Sequence, residues 1–370
     1  LTSASWSSGK KTERCGHLIK DEYSPYKIVH HCDRLEQLKR GEQTVPIQIQ
    51  LVPSNVCNQG CSFCAYRIKG SPSSQIFDPR QMLDTLKVYE TVDCFAEMGG
   101  KAIHVTGGGE PLVHPDITHI FDYILNSELD LALVTNGSRL TPDMCAILAD
   151  SSWVRVSVDS GNSETYSALR NTGPNEFDKV VSNVEKLVEY KNKNIIGIGF
   201  VVVKENYSEI VQAARLFKDI GVDNLRISAA FVPQGAAYFK PFFDEAHDLA
   251  QAAQELSDDY FHVFNLFDDR IHDMFDGTQD YGRCPSKDLI SYVGADYNVY
   301  TCCTLAYNKK GLVGSIKDQT YKELWESREK RGMFINHSPM WACRIPCMYE
   351  NKNHFINYCI SSDPKHINFI

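Results

Sequence analysis

Residues 46–64 read Pro46-Ile47-Gln48-Ile49-Gln50-Leu51-Val52-Pro53-Ser54-Asn55-Val56-Cys57-Asn58-Gln59-Gly60-Cys61-Ser62-Phe63-Cys64. A short β-like run, residues 46–51, passes into a loop with three cysteines at spacings of four and three and a glycine for the tight turn. Working outward, five further runs of the same kind lie at residues 102–106, 131–135, 154–158, 195–203 and 224–228. Each is β-branched or Leu-rich, and most end in Gly, Ser, Asn or Asp. Between them, stretches such as 79–98 and 175–192 place apolar residues three and four apart (Phe177, Val180, Val184, Leu187), the mark of amphipathic helices. This alternation predicts an α/β fold whose parallel sheet is covered by helices, with right-handed crossovers bringing the strand C-termini to one edge. Six units are too few for a closed eight-unit barrel. An open six-unit barrel or a doubly wound sheet is expected, and in both the chemistry belongs at that edge.

The 370 residues carry 38 Lys and Arg against 47 Asp and Glu, a net charge of −9. Apolar content of 43% is too high for a disordered chain, and no apolar run reaches the roughly 20 residues that span a bilayer. The acidic balance and the lack of a basic block argue against nucleic acid as a partner. The 13 cysteines are odd in number and clustered, which suits metal ligation in a reducing cytoplasm better than a disulfide framework. No secretory signal is visible at Leu1-Thr2-Ser3-Ala4. Residues 1–45 form a polar N-terminal extension, 46–240 the six-unit body, 241–283 a helical connector, and 284–370 a cysteine-rich module. In the connector, Tyr260, Phe261, Phe264 and Phe267 suggest a packed helix or connector face, with a substrate platform between the modules as the alternative.

Three thiols in one loop leave a structural zinc site one ligand short, whereas a cubane iron-sulfur cluster held by three cysteines keeps one iron open. The loop resembles the CxxxCxxC signature of the radical S-adenosylmethionine enzymes, with Phe63 as the aromatic residue before the last cysteine. The resemblance implies that Cys57, Cys61 and Cys64 ligate a 4Fe-4S cluster whose open iron is chelated by S-adenosylmethionine, the source of a 5'-deoxyadenosyl radical. It extends to Thr106-Gly107-Gly108-Gly109-Glu110-Pro111, where it assigns contact with the methionine amino group to Gly108, Gly109 and Glu110. Consecutive glycines let a backbone approach a ligand closely, and a Glu can take an ammonium. No Lys-Ser/Thr follows, which excludes a nucleotide P-loop. Thr135-Asn136-Gly137 and Val154 to Ser160 follow in the order expected, with Ser157, Asp159 and Asn136 as candidates for the cosubstrate ribose and carboxylate; Asn136-Gly137 also reads as a plain turn. Arg226 and Ser228 end the sixth strand and reach toward the same place. His104, His114 and His119 lack the spacing of a metal set.

After residue 284 the chain resembles the auxiliary-cluster modules called SPASM and twitch. It departs from them in having Tyr297 where glycine is usual and a CxxxC pair, Cys343 and Cys347, where CxxC is commoner. Six cysteines suffice for one auxiliary iron-sulfur cluster, with Cys284, Cys302, Cys343 and Cys347 as its ligands. Cys359 is an alternative ligand and Cys303 a bystander or a hydrogen donor. A zinc ribbon is the competing reading of this module. Cys15, Cys32, Cys94 and Cys145 show no ligand spacing. The expected protein is a partial (β/α)6 barrel with a twitch/SPASM-like module. The resemblance implies hydrogen abstraction and oxidative modification of a peptide or protein side chain, with an electron donor such as flavodoxin or ferredoxin. Dehydrogenation of a small sugar-like alcohol and a non-catalytic iron-sulfur or zinc protein are the alternatives.

Overall fold

The computed structural model describes residues 23–267, 271, 279, 281–343 and 347–361. Cys15, the first half of the N-terminal extension, part of the connector and Arg344-Ile345-Pro346 lie outside them. The chain forms two compact units, one of residues 45–348 and a smaller one that joins the segment before residue 45 to the segment after 348. In the smaller unit a two-turn 3-10 helix, Pro25–His30, and helix α1, Cys32–Lys39, pack with the last helix, Glu350–Ile360, and Tyr26 meets Phe355 edge-on at 4.8 Å.

The larger unit is built on one sheet. Strands β1 (Gln48–Leu51), β2 (Ala102–Val105), β3 (Asp130–Thr135), β4 (Trp153–Ser157), β5 (Ile195–Val202) and β6 (Asn224–Ala229) lie side by side in chain order, all parallel. All six strands expected from the sequence are present, and the order never reverses. Among these six strands there is thus no switch point of the doubly wound kind, and they form one parallel ladder.

Four further strands were not foreseen as parts of this sheet. Residues 262–266, placed in the helical connector, are β7 (His262–Leu266), parallel to β6. The threefold spacing of Phe261, Phe264 and Phe267 imitates a helix, but Phe261 and Val263 are the buried residues at the start of the run, and their spacing of two belongs to a strand. Beyond residue 284, the hairpin β8 (Ile290–Val293) and β9 (Asn298–Tyr300) is where the sequence suggests it, yet β8 pairs in parallel with β1 and β10 (Leu312–Ser315) follows β9. Residues 290–315 therefore extend the same sheet. Tyr297, in the usual glycine position of the hairpin, adopts φ 62°, the left-handed conformation that glycine takes without cost.

Helices cover the outer face: α2 (Thr85–Glu97), α3 (Ile117–Asn126), α4 (Pro142–Leu148), α5 (Ser163–Arg170), α6 (Glu176–Glu189), α7 (Ile210–Ile220) and α8 (Phe243–Gln254). In α7, Ile210, Ala213, Ala214 and Phe217 form one buried stripe, and Gly221 at φ 92° ends the helix. Ile49, Leu51, Ile103, Val105, Leu131, Leu133, Val154 and Val156 meet these helices as a fully buried layer. The alternate residues, among them Gln50, His104, Ala132, Arg155 and Arg226, share the inner face by register. No helix among the described residues is long and apolar enough to cross a membrane.

Candidate active site

The cysteine loop hangs on the end of α5. The last carbonyls of a helix have no partner within it, and two of these, on Leu169 and Arg170, accept from Ser62 N at 2.8 Å and Gly60 N at 2.9 Å. A side-chain lattice fixes the same loop: Gln59 Nε2 donates to the Tyr166 hydroxyl at 2.9 Å, Arg170 Nη1 donates to Gln59 Oε1 at 2.8 Å, and Arg67 Nη1 donates to the Gln59 carbonyl at 3.1 Å. The guanidinium of Arg170 pairs with Asp159 and reaches Cys61 Sγ at 3.9 Å. Burial opposes the charge on Arg170, but Asp159, Cys61 and Tyr166 outweigh it and keep the guanidinium protonated.

The glycine turn lies flat against the chain entering this loop. Gly109 N donates to Ser54 O at 3.1 Å and Glu110 N to Val56 O at 2.9 Å. A Cβ on Gly109 would stand 2.2 Å from the Val56 carbonyl oxygen, and one on Gly107 would stand 1.8 Å from that of Gly109. Backbone packing thus requires these glycines whatever they bind, and it leaves main chain as a cavity wall.

Glu110 is a brace. Its Oε1 accepts from Leu112 N at 3.0 Å and from Thr135 Oγ1 at 2.6 Å, and its Oε2 accepts from Asn136 N at 2.7 Å, tying the end of β2 to the end of β3. Burial pushes its carboxyl above the usual range against these three bonds. Asn136 shows both faces of its sequence reading. Its Oδ1 closes a turn onto Ser138, while its Nδ2 donates to Asn58 in the cysteine loop at 2.9 Å. Asp159 sits at φ 60° with Oδ1 accepting from Val201 N at 2.6 Å, so its carboxylate is also largely spoken for. Among the described residues, none bonds to the Ser157 side chain.

A cavity of about 290 Å³ opens among these residues at the C-terminal edge of the sheet. Its walls include Cys57, Cys61, Phe63 and Cys64, then Gly108, Gly109 and Glu110, and then Asn136, Ser157 and Asp159. Arg226 and Ser228 from β6 close it, together with Arg170, Gln59 and Tyr66, which the sequence reading did not single out. Burial raises the Cys57 thiol and pushes Cys61 up to about 11, so both stay protonated near neutrality until a metal displaces the proton. None of the described cysteines is bridged, and no three Cys, His, Asp or Glu side chains among the described residues form a set able to hold a single metal ion. Three free thiols on one wall with open space before them suit a cluster with one exposed iron.

Burial, then the thiols of Cys303, Cys347, Cys343 and Cys284, hold the Cys302 thiol well above its ordinary value. Cys303 lines a small cavity of about 130 Å³ with Tyr66, Phe231 and Met348. The Tyr66 hydroxyl meets that of Tyr292 at 3.1 Å, and burial, with Cys303, Cys64 and Cys302 adding to it, pushes the phenol above its ordinary range. Cys359 is on the last helix, within the smaller unit. Cys32 is exposed, Cys94 half-buried and Cys145 in the core.

The histidines have structural surroundings. His114 Nε2 meets the Leu83 carbonyl at 2.9 Å while its Nδ1 accepts from Asp116 N at 3.2 Å. His104 packs on Trp153 with ring centroids 4.8 Å apart.

The family model of the radical SAM superfamily matches residues 51–217. The mycofactocin maturase MftC of Mycolicibacterium smegmatis is 28% identical over 341 residues, covering 85% of this chain and 81% of the relative. The AdoMet-dependent heme synthase of Methanosarcina barkeri is 26% identical over 300 residues, covering 74% and 80%. Among solved structures, Streptococcus suis SuiB bound to S-adenosylmethionine shares the fold with a TM-score of 0.61 at 15% identity, over 96% of this chain and 84% of that one. The protein is accordingly an enzyme that carries a radical SAM domain over residues 51–217.

Proposed function

We propose that this enzyme abstracts a hydrogen atom from a peptide or protein side chain and modifies it oxidatively. The observation that carries the reading is the single cavity in which three unbridged thiols face the glycine turn and the polar ends of β3, β4 and β6. Support for a peptide substrate comes from the name of MftC, a maturase, and from SuiB, which is also known bound to its precursor peptide SuiA.

Cys57, Cys61 and Cys64 would hold a 4Fe-4S cluster, and the main chain at Gly108 and Gly109 with Ser157 would seat S-adenosylmethionine. When bound, the reduced cluster and its cosubstrate supply a 5'-deoxyadenosyl radical. The chain's own work is placement. Phe63 walls the thiols, Asn136 ties β3 to the loop, and the Asp159–Arg170 pair holds the loop from below. Glu110 and Asp159 act as positioning residues, since internal donors occupy their oxygens. Cys284, Cys302, Cys343 and Cys347 would hold one auxiliary iron-sulfur cluster, suited to accept the electron left on an oxidised substrate. Cys303 would give a hydrogen atom in a redox-neutral outcome. A flavodoxin or ferredoxin of the cytoplasm would reduce the loop cluster.

The test is anaerobic reconstitution with iron and sulfide, reduction, addition of S-adenosylmethionine, and mass spectrometry. The expected product is 5'-deoxyadenosine, absent in a Cys61→Ala variant. S-adenosylhomocysteine would redirect the account to methyl transfer, and neither product from fully loaded protein would contradict it. In a Cys302→Ala variant the iron content should fall by about four per chain while 5'-deoxyadenosine persists. Unchanged iron would remove the auxiliary cluster.

A further inference from the structure

A larger recess, about 910 Å³, opens beside the cavity and shares Tyr66 and Arg67 with it. Its wall is the segment after the cysteine loop, and that wall is built rather than loose. Ser73 Oγ donates to the Thr304 carbonyl at 3.2 Å, Asn308 Nδ2 donates to the Pro72 carbonyl at 3.0 Å, and Ile76 N donates to the Tyr307 carbonyl at 2.9 Å.

The charge of this groove is opposite to that of the chain. The protein carries −9 overall, yet no Asp or Glu lines the recess, while Arg67 and Lys69 do. Lys309 stands at the rim, its backbone N–H donating to Gln75 Oε1 at 2.9 Å. The neighbouring carboxylate, Asp78, is taken by Arg80 at 3.0 Å. Among the described residues none of Arg67, Lys69 and Lys309 has a carboxylate partner: Arg67 is anchored through one nitrogen to a backbone carbonyl, and Lys69 and Lys309 extend into solvent. Unpaired cations on a rigid wall next to the reacting cavity are placed for carboxylates arriving on a substrate.

We propose that this groove binds the acidic segment of a peptide substrate and leads the residue to be modified past Tyr66 into the cavity. The inference rests on the peptide reading above and adds the charge of the substrate. A nucleic-acid strand fits less well: it needs a longer track of cations and exposed aromatic platforms, whereas Tyr66 is half-buried and Phe77 packs edge-on against Tyr307 at 5.0 Å.

The test is fluorescence anisotropy on the full chain with a short labelled Glu-Gly-Ser peptide, its Lys-Gly-Ser counterpart and a thymidine oligonucleotide. The Glu peptide should bind about tenfold or more tightly than the Lys peptide despite the protein's net charge, and should weaken as salt rises. Lys69→Gln with Lys309→Gln should weaken it severalfold, and Lys69→Glu with Lys309→Glu about tenfold further, with thermal melts confirming the fold of each. Equal binding of the two peptides, wild-type affinity in the charge-reversed variant, or tighter capture of the oligonucleotide through the same lysines would overturn the proposal. Formation of 5'-deoxyadenosine by the wild-type protein without peptide is measured separately. Its failure would count against the radical reading, and a failure of peptide preference alone would count against the groove.

Discussion

Asp159 combines two costly features. It holds φ 60°, a conformation that costs a non-glycine residue on the order of 1 kcal/mol, and it buries a carboxylate at 1% exposure. Arg170, 3% exposed, compensates the charge, Val201 N fixes one oxygen, and Asn206 Nδ2 donates to the backbone carbonyl at 2.8 Å. Replacing Arg170 with Leu should therefore cost about 3–5 kcal/mol in denaturant unfolding, because it strands a buried carboxylate. The same variant should lose iron faster than wild type under chelation, since Gln59 and the 57–64 loop lose their anchor. Arg170→Lys, which keeps charge but not the fork, should fall between. An Arg170→Leu protein of wild-type stability and iron retention would contradict this reading. Nothing in the sequence marked Arg170: it is one more charged residue near a helix end, and only the fold brings it under a loop 109 positions away. The three cysteines were legible because their spacing is local. Glu110 was legible as part of the site but not in its manner of acting, since its partners at Thr135 and Asn136 come from the neighbouring strand.

At the scale of elements, the alternation of β-like and helical stretches predicts six parallel strands, and their register gives the sheet a polar inner face. His104 belongs to that face. Burial, with Arg155 and Arg226 adding to it, lowers its imidazole from 6.5 to about 3. Unfolded, this histidine takes a proton near pH 6.5, whereas folded it resists until about pH 3, so the unfolded chain binds more protons between those values. The stability it contributes is complete above pH 6.5 and drains as pH falls toward 3, by at most about 1.4 kcal/mol per pH unit. His337, lowered to about 4, acts with the same sign over a narrower window. A His104→Gln variant should show a flatter acid limb in denaturation midpoints measured from pH 7 to pH 4. A limb as steep as wild type would remove His104 from the account. Strand β7 shows the limit of such reading: five residues flanked by Phe261 and Phe267 carry too few periods to separate a spacing of two from one of three.

For the whole molecule, the apparent module boundary at residue 284 is chemical rather than structural. The cysteine density changes there, but β8 covers the open edge of β1 with four residues in register, and β9 and β10 continue the sheet. Such long-range pairing leaves no local signature in a sequence. A chain ended at Arg283 should then expose the β1 edge and aggregate, as unpaired edges do. A monodisperse, cooperatively melting fragment would show the barrel to be independent.

The central claim is that the cavity holds a cluster whose iron is open to the cosubstrate. Electron paramagnetic resonance tests it in a variant with Cys284, Cys302, Cys343 and Cys347 changed to Ala, reconstituted and reduced so that only the 57–64 loop carries a cluster. The predicted result is a signal that changes shape when S-adenosylmethionine is added and disappears in the further Cys61→Ala variant. A reduced-cluster signal indifferent to S-adenosylmethionine would contradict it.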